Sequence, residues 1–138
     1  MIRYWIGFNL VPGIGPARLR LLLEHFGDLE KAWRAERREL ERAGLDRRSI
    51  ESLLAARKAI SLEKEEAKVA QAGAKVITWD DESYPPRLRH IHNPPPLLYL
   101  KGDILPQDEW AVAVVGTRNP QPYGRQVVEQ IAGDLARS

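Results

Sequence analysis

The hydrophobic pattern changes its period once, at Gly73, and that change calls for two kinds of structure in one short chain. Before Gly73, apolar residues recur at helical spacing. Residues 3–10 (RYWIGFNL) predict a short apolar helix, the turn VPGIGP follows at 11–16, and a second helix covers 17–26. Gly27 closes that helix as a C-cap, and Asp28 caps the next one over 29–35. Helices at 36–43 and 47–59 complete an all-α unit, with Leu40, Leu45, Ile50, Leu53 and Leu54 at inward-facing positions. An amphipathic helix at 61–71 ends the helical part.

After Gly73 the runs become short, β-branched and separated by Pro and Gly. AKVITW at 74–79 predicts a strand, residues 80–96 a proline-dense connector with a short helix at most, and LLYLK at 97–101 a second strand closed by Gly102 and Asp103. WAVAVVG at 110–116 is nearly all apolar, as expected of a parallel strand buried on both faces. The Gly-rich turn GTRNPQPYG at 116–124 then leads into a last helix over 124–137. The expected fold is α+β, a helical domain at 1–60 followed by an α/β segment at 61–138 that opens a doubly wound parallel sheet. One helix cannot cover so apolar a strand, so the 138 residues are expected to be a piece of a longer protein.

Composition narrows the function classes. Hydrophobic residues at 43% and charged residues at 29% are globular proportions. No apolar run approaches the ~20 residues of a membrane span. The N-terminus lacks the layout of a signal peptide, so a cytoplasmic location without membrane contact is expected. Cysteine is absent, which excludes disulfides and thiolate metal sites. Residues 1–60 hold 12 Lys and Arg against 8 Asp and Glu, and residues 61–138 hold 9 against 11. The basic excess at the front suits a phosphate backbone or, equally, a well-solvated helical surface.

Leu10 to Ala17 carries the h-x-G-h-G pattern of a helix-hairpin-helix. Gly13 and Gly15 permit a tight turn and a close approach by another backbone. The free N–H groups and positive end of the following helix can then hold a DNA phosphate without any base being read. Arg18 and Arg20 can add charge. The competing reading is that both glycines merely let two helices pack at a sharp angle. FGDLEKAW at 26–33 resembles the linker helix between paired hairpins, and Ala43-Gly44-Leu45-Asp46 stands where a second hairpin belongs. That copy lacks the second glycine and is expected to be structural, with Arg42, Arg47 and Arg48 beside it on a solvated face.

The turn at 116–124 occupies the phosphate site of a doubly wound fold. It lacks both the G-x-G-x-x-G dinucleotide fingerprint and the P-loop lysine pattern. Arg118 at its tip, flanked by Thr117 and Asn119, can fork onto a phosphate over the backbone of Gly116 and Thr117. Tyr123 either stacks on a base or packs the turn. No nucleophile–base constellation is present. His90 and His92 beside a proline run suit loop packing rather than a metal, and Asp80, Asp81 and Glu82 suit turn capping. A non-enzymatic protein with no cofactor and no metal is expected.

These residues carry a resemblance. Asp80, Tyr84-Pro85, Leu88, the run Pro94-Pro95-Pro96-Leu97-Leu98-Tyr99, Lys101-Gly102-Asp103, Val112 to Arg118 and Tyr123-Gly124 together resemble the DNA-processing protein A family (DprA, also called Smf). The resemblance spans roughly residues 74–138, and the helical front matches that family's variable N-terminal domain. It implies an extended Rossmann-like domain that binds single-stranded DNA, dimerises, protects incoming strands and loads the RecA recombinase during natural transformation. The family's Gly-Ser-Arg turn, which lines its DNA pocket, corresponds to Gly116, Thr117 and Arg118, with Thr keeping the hydroxyl. Recombinase and dimer contacts are expected beyond Ser138. Two alternatives stand beside this one: a nucleotide-binding enzyme related to phosphoribohydrolases, and a front domain that docks only protein.

Overall fold

In the computed structural model, which describes residues 1–137, helices α1 (Ile2–Asn9), α2 (Pro16–Phe26), α3 (Leu29–Arg34), α4 (Arg37–Arg42), α5 (Arg47–Ala59) and α6 (Leu62–Gln71) precede strand β1 (Lys75–Thr78). A one-turn helix α7 (Pro86–Arg89) interrupts the connector before strand β2 (Leu97–Leu100). A 3₁₀ turn at Pro106–Trp110 and helix α8 (Pro122–Arg137) follow. The chain divides into two compact units, Met1–Ile104 and Leu105–Ser138.

In the first unit the caps fall where the side chains dictate. Asp28 accepts the Lys31 N–H at 2.8 Å, and Gly27 ends α2 in the left-handed region. Phe8, Leu22, Leu40, Ile50 and Leu53 are fully buried in one core that the helices on both sides of residue 60 share. Gly7 lies where α1 meets α6, and a Cβ there would collide with Leu62 Cδ2 and reach 3.1 Å from the Trp33 ring. Phe8 meets Trp33 edge to face at 5.1 Å, and Trp5 meets Trp79 in the same manner at 5.7 Å. The second contact joins α1 to the end of β1, so the helical front and the strand segment pack as one body.

β1 and β2 pair antiparallel, with Lys75 opposite Leu100 and Thr78 opposite Leu97. The connector between them is pinned from inside. Tyr84 is fully buried and donates its hydroxyl to the Pro95 carbonyl at 2.8 Å. The Asp81 carboxylate accepts the Thr78 N–H at 2.6 Å and its hydroxyl at 2.8 Å, so this part of the acidic cluster shapes a turn.

The second unit departs from expectation. Residues 111–117 form no strand, and Val112 and Val115 are 66% and 88% exposed. A strand exists only through lateral hydrogen bonds to a neighbour, and among the described residues the sheet holds β1 and β2 alone. The apolar run is legible in composition, yet nothing among the described residues pairs with it. The mixed helical architecture with a small antiparallel sheet is α+β, and no parallel sheet occurs among the described residues. α8 begins at Pro122, two residues before the expected start, because proline suits the first helical position. No helix among the described residues is long and apolar enough to cross a membrane.

Candidate nucleic-acid interface

The turn between α1 and α2 is built by two glycines with different jobs. Gly13 sits at φ +85°, a conformation L side chains rarely adopt. Ile14 behind it is buried, its N–H donating to the Val11 carbonyl at 3.2 Å. Gly15, the N-cap of α2, has φ −98° and ψ −171°, an extended conformation open to any residue, and nothing lies within 4 Å of where its Cβ would be. No side chain caps this helix start, and Pro16 supplies the first helical position. An uncapped helix N-terminus with open space at its N-cap is a place where an anion can approach backbone N–H groups.

The turn between α4 and α5 repeats the plan with one change. Gly44 has φ +89° and Leu45 is buried, matching Gly13 and Ile14, but Asp46 replaces Gly15. Its carboxylate accepts the Ser49 N–H at 3.0 Å and the Ser49 hydroxyl at 2.9 Å, so a fixed anion already occupies this helix start. These bonds, then the Arg18 guanidinium, hold the Asp46 carboxyl at about 2, below its ordinary 3.8.

Arg18 spans the two turns. It donates to Asp46 Oδ2 from Nε at 3.0 Å and from Nη2 at 2.6 Å, and to the Gly13 carbonyl from Nη1 at 2.8 Å. Its fork is engaged in locking one turn to the other. Arg20, expected beside the first turn, lies elsewhere: its guanidinium stands 5.2 Å from the centre of the Trp79 ring. The helical step between positions 18 and 20 turns the two side chains to different faces.

In the second unit Gly116, Thr117, Tyr123, Gly124 and Arg125 line one groove of about 620 Å³ with Val114 and Val128. Arg118 is exposed beside it, not in its wall. Nothing lies within 4 Å of a Cβ placed on Gly116, so local packing does not require glycine there. Tyr123 is 77% exposed. No hydrogen bond or ion pair engages the side chains of Arg118 or Arg125 among the described residues. Arg125 was not singled out from the sequence, although its place in the first turn after a Gly-rich loop was a usable signal.

Comparison with known proteins covers both halves of the chain. The profile of the family described as DNA recombination-mediator protein A matches residues 75–138. Protein Smf of Synechocystis sp. (strain ATCC 27184 / PCC 6803 / Kazusa) is 32% identical over 140 residues, covering 98% of this chain and 35% of that relative. DNA processing protein DprA of Bacillus subtilis (strain 168) is 36% identical over 72 residues, covering 51% of this chain and 24% of that relative. The chain therefore spans about a third or less of these curated relatives. No solved structure matches it.

Proposed function

Because this chain belongs to the DprA/Smf family of DNA recombination-mediator proteins, we propose that it is the single-stranded-DNA-binding front of a non-enzymatic DNA-processing protein. In this reading the complete protein is cytoplasmic and dimeric. It shields incoming strands and loads the RecA recombinase in natural transformation through parts outside these residues. In the same reading the turns at 11–15 and 43–46 act as a working and a self-capped helix-hairpin-helix. The apolar run at 110–116, unpaired among the described residues, becomes the first strand of a Rossmann-like sheet only when a neighbouring strand pairs with it.

The observation that carries the reading is the 116–124 turn. It lies in the segment that matches the family and offers Arg118 with no acidic partner among the described residues, next to a groove holding Thr117, Tyr123 and Arg125. An exposed guanidinium close in sequence to an exposed aromatic ring suits a phosphate with an adjacent base. The test is fluorescence anisotropy of a labelled oligo(dT) strand. Arg118→Ala is expected to weaken binding by about 1–3 kcal/mol, the scale of a hydrogen-bonded charged contact, with Tm unmoved. Lysine should restore part of the loss, since it keeps the charge without the fork. Unchanged affinity in the alanine variant rejects the assignment.

A further inference from the structure

A cavity of about 320 Å³ lies between α2 and the connector after β1, away from both glycine turns. Trp79, Tyr84 and Pro94 line it together with Arg20, Glu24 and Arg89. Two guanidinium groups therefore share one small cavity with two aromatic rings. Arg20 stands over the Trp79 ring at 5.2 Å, and no hydrogen bond or ion pair engages it among the described residues. Arg89 stands 5.4 Å from the centre of the Tyr84 ring. Its Nη1 donates to the Trp79 carbonyl at 2.8 Å and its Nη2 to the Asp81 carbonyl at 2.6 Å. Those bonds fix the fork in place and leave Nε–H and one hydrogen on each terminal nitrogen available.

We propose that this cavity is a second nucleic-acid contact, holding one nucleotide of a single DNA strand with its phosphate between Arg20 and Arg89 and its base against the Trp79 side. The inference rests on the nucleic-acid-binding reading above and adds a site to it. The volume is at the lower end for small-ligand sites, which suits one nucleotide rather than a folded element. The partly exposed Trp79 ring can stack on any base, and guanidinium forks match phosphate oxygens better than a point charge does. Glu24 repels a phosphate on its own side and so directs it toward Arg89, whose pose is already set. Arg20 comes from the helical front and Arg89 from the segment that matches the family, and the cavity exists because the two segments share one core in which Trp5 meets Trp79.

The test uses the 138-residue chain, a labelled oligo(dT) strand, and the variants Arg20→Gln and Arg118→Ala in parallel. Arg20 is exposed, so glutamine at that helical position should leave Tm unchanged. The expected result is roughly 10-fold weaker strand binding by Arg20→Gln, the scale of one charge-assisted phosphate contact. Trp79→Phe, which keeps a ring in place, should abolish part of the tryptophan quenching that the strand produces. Wild-type affinity in Arg20→Gln with loss in Arg118→Ala overturns this site and leaves the proposed function standing. Loss in Arg20→Gln alone supports this site and removes the role of the 116–124 turn. No strand binding by the unaltered chain rejects both. Thymidine monophosphate quenching Trp79 as strongly as the strand would assign the cavity to free nucleotides and overturn the strand assignment.

Discussion

Gly13 and Gly15 lie two residues apart in one motif, yet alanine should destabilise the fold at the first and leave its stability nearly unchanged at the second. At Gly13 the φ of +85° places any L residue in the left-handed region, which costs about 1–2 kcal/mol. Space is not the obstacle, since the nearest atom to an added Cβ is Ser49 Oγ at an ordinary 3.8 Å. Removing glycine also restricts the unfolded chain, which offsets roughly 0.4–1 kcal/mol. Gly13→Ala should therefore lose about 1 kcal/mol, or about 4–8 °C in Tm for a domain of this size. At Gly15 the backbone is extended and the surroundings are open. The unfolded-state gain there is opposed by the poorer N-cap preference of alanine, and the two come within about 0.5 kcal/mol of cancelling. If the space at Gly15 serves a phosphate, Gly15→Ala should keep its Tm and lose affinity for oligo(dT) at low salt. Urea unfolding with anisotropy on the same samples measures both quantities. A Gly15→Ala variant destabilised as much as Gly13→Ala would refute the backbone reasoning, and one that binds like the unaltered chain would show that the open N-cap is unused.

The remaining expectations follow from other contacts. Asp46 titrates at about 2 in the folded chain against an ordinary 3.8, so its contribution is complete above the higher value and lost as pH falls through the lower one. The stability gap between the unaltered chain and Asp46→Ala, followed by circular dichroism, should accordingly narrow across that window, and a constant gap argues against the cap. Gly7→Ala forces a methyl onto Leu62 and Trp33 and should cost about 1–3 kcal/mol in urea melts despite alanine's better helix propensity. Strand binding should be salt-sensitive with a log–log slope of about −2 to −4, from a few displaced counterions. A slope near zero with tight binding would point to base reading instead.

What was legible in the sequence is what depends on neighbours along the chain. The caps at Gly27 and Asp28, the stop at Gly73, the buried spacing of Leu40, Ile50 and Leu53, and the short helix in the proline-dense connector are set by local sterics and by periodicity. The same holds for the glycine turn at 11–15, because left-handed φ and an open N-cap are written in the residues themselves. Three features were decided only by tertiary structure. The run at 110–116 has the composition of a buried strand, but strand formation needs a partner's backbone, and among the described residues none is supplied. Arg18 and Arg20 read alike as charges after a turn, and the helical step puts them on different faces, but only the tertiary structure sets Asp46, 28 residues away from Arg18, against one and the Trp79 ring against the other. The cavity of Arg20, Trp79, Tyr84 and Arg89 had no local signal at all, because its walls come from segments far apart in the chain. They meet because burying Trp5 against Trp79 removes large apolar surfaces from water, and that driving force is blind to sequence distance.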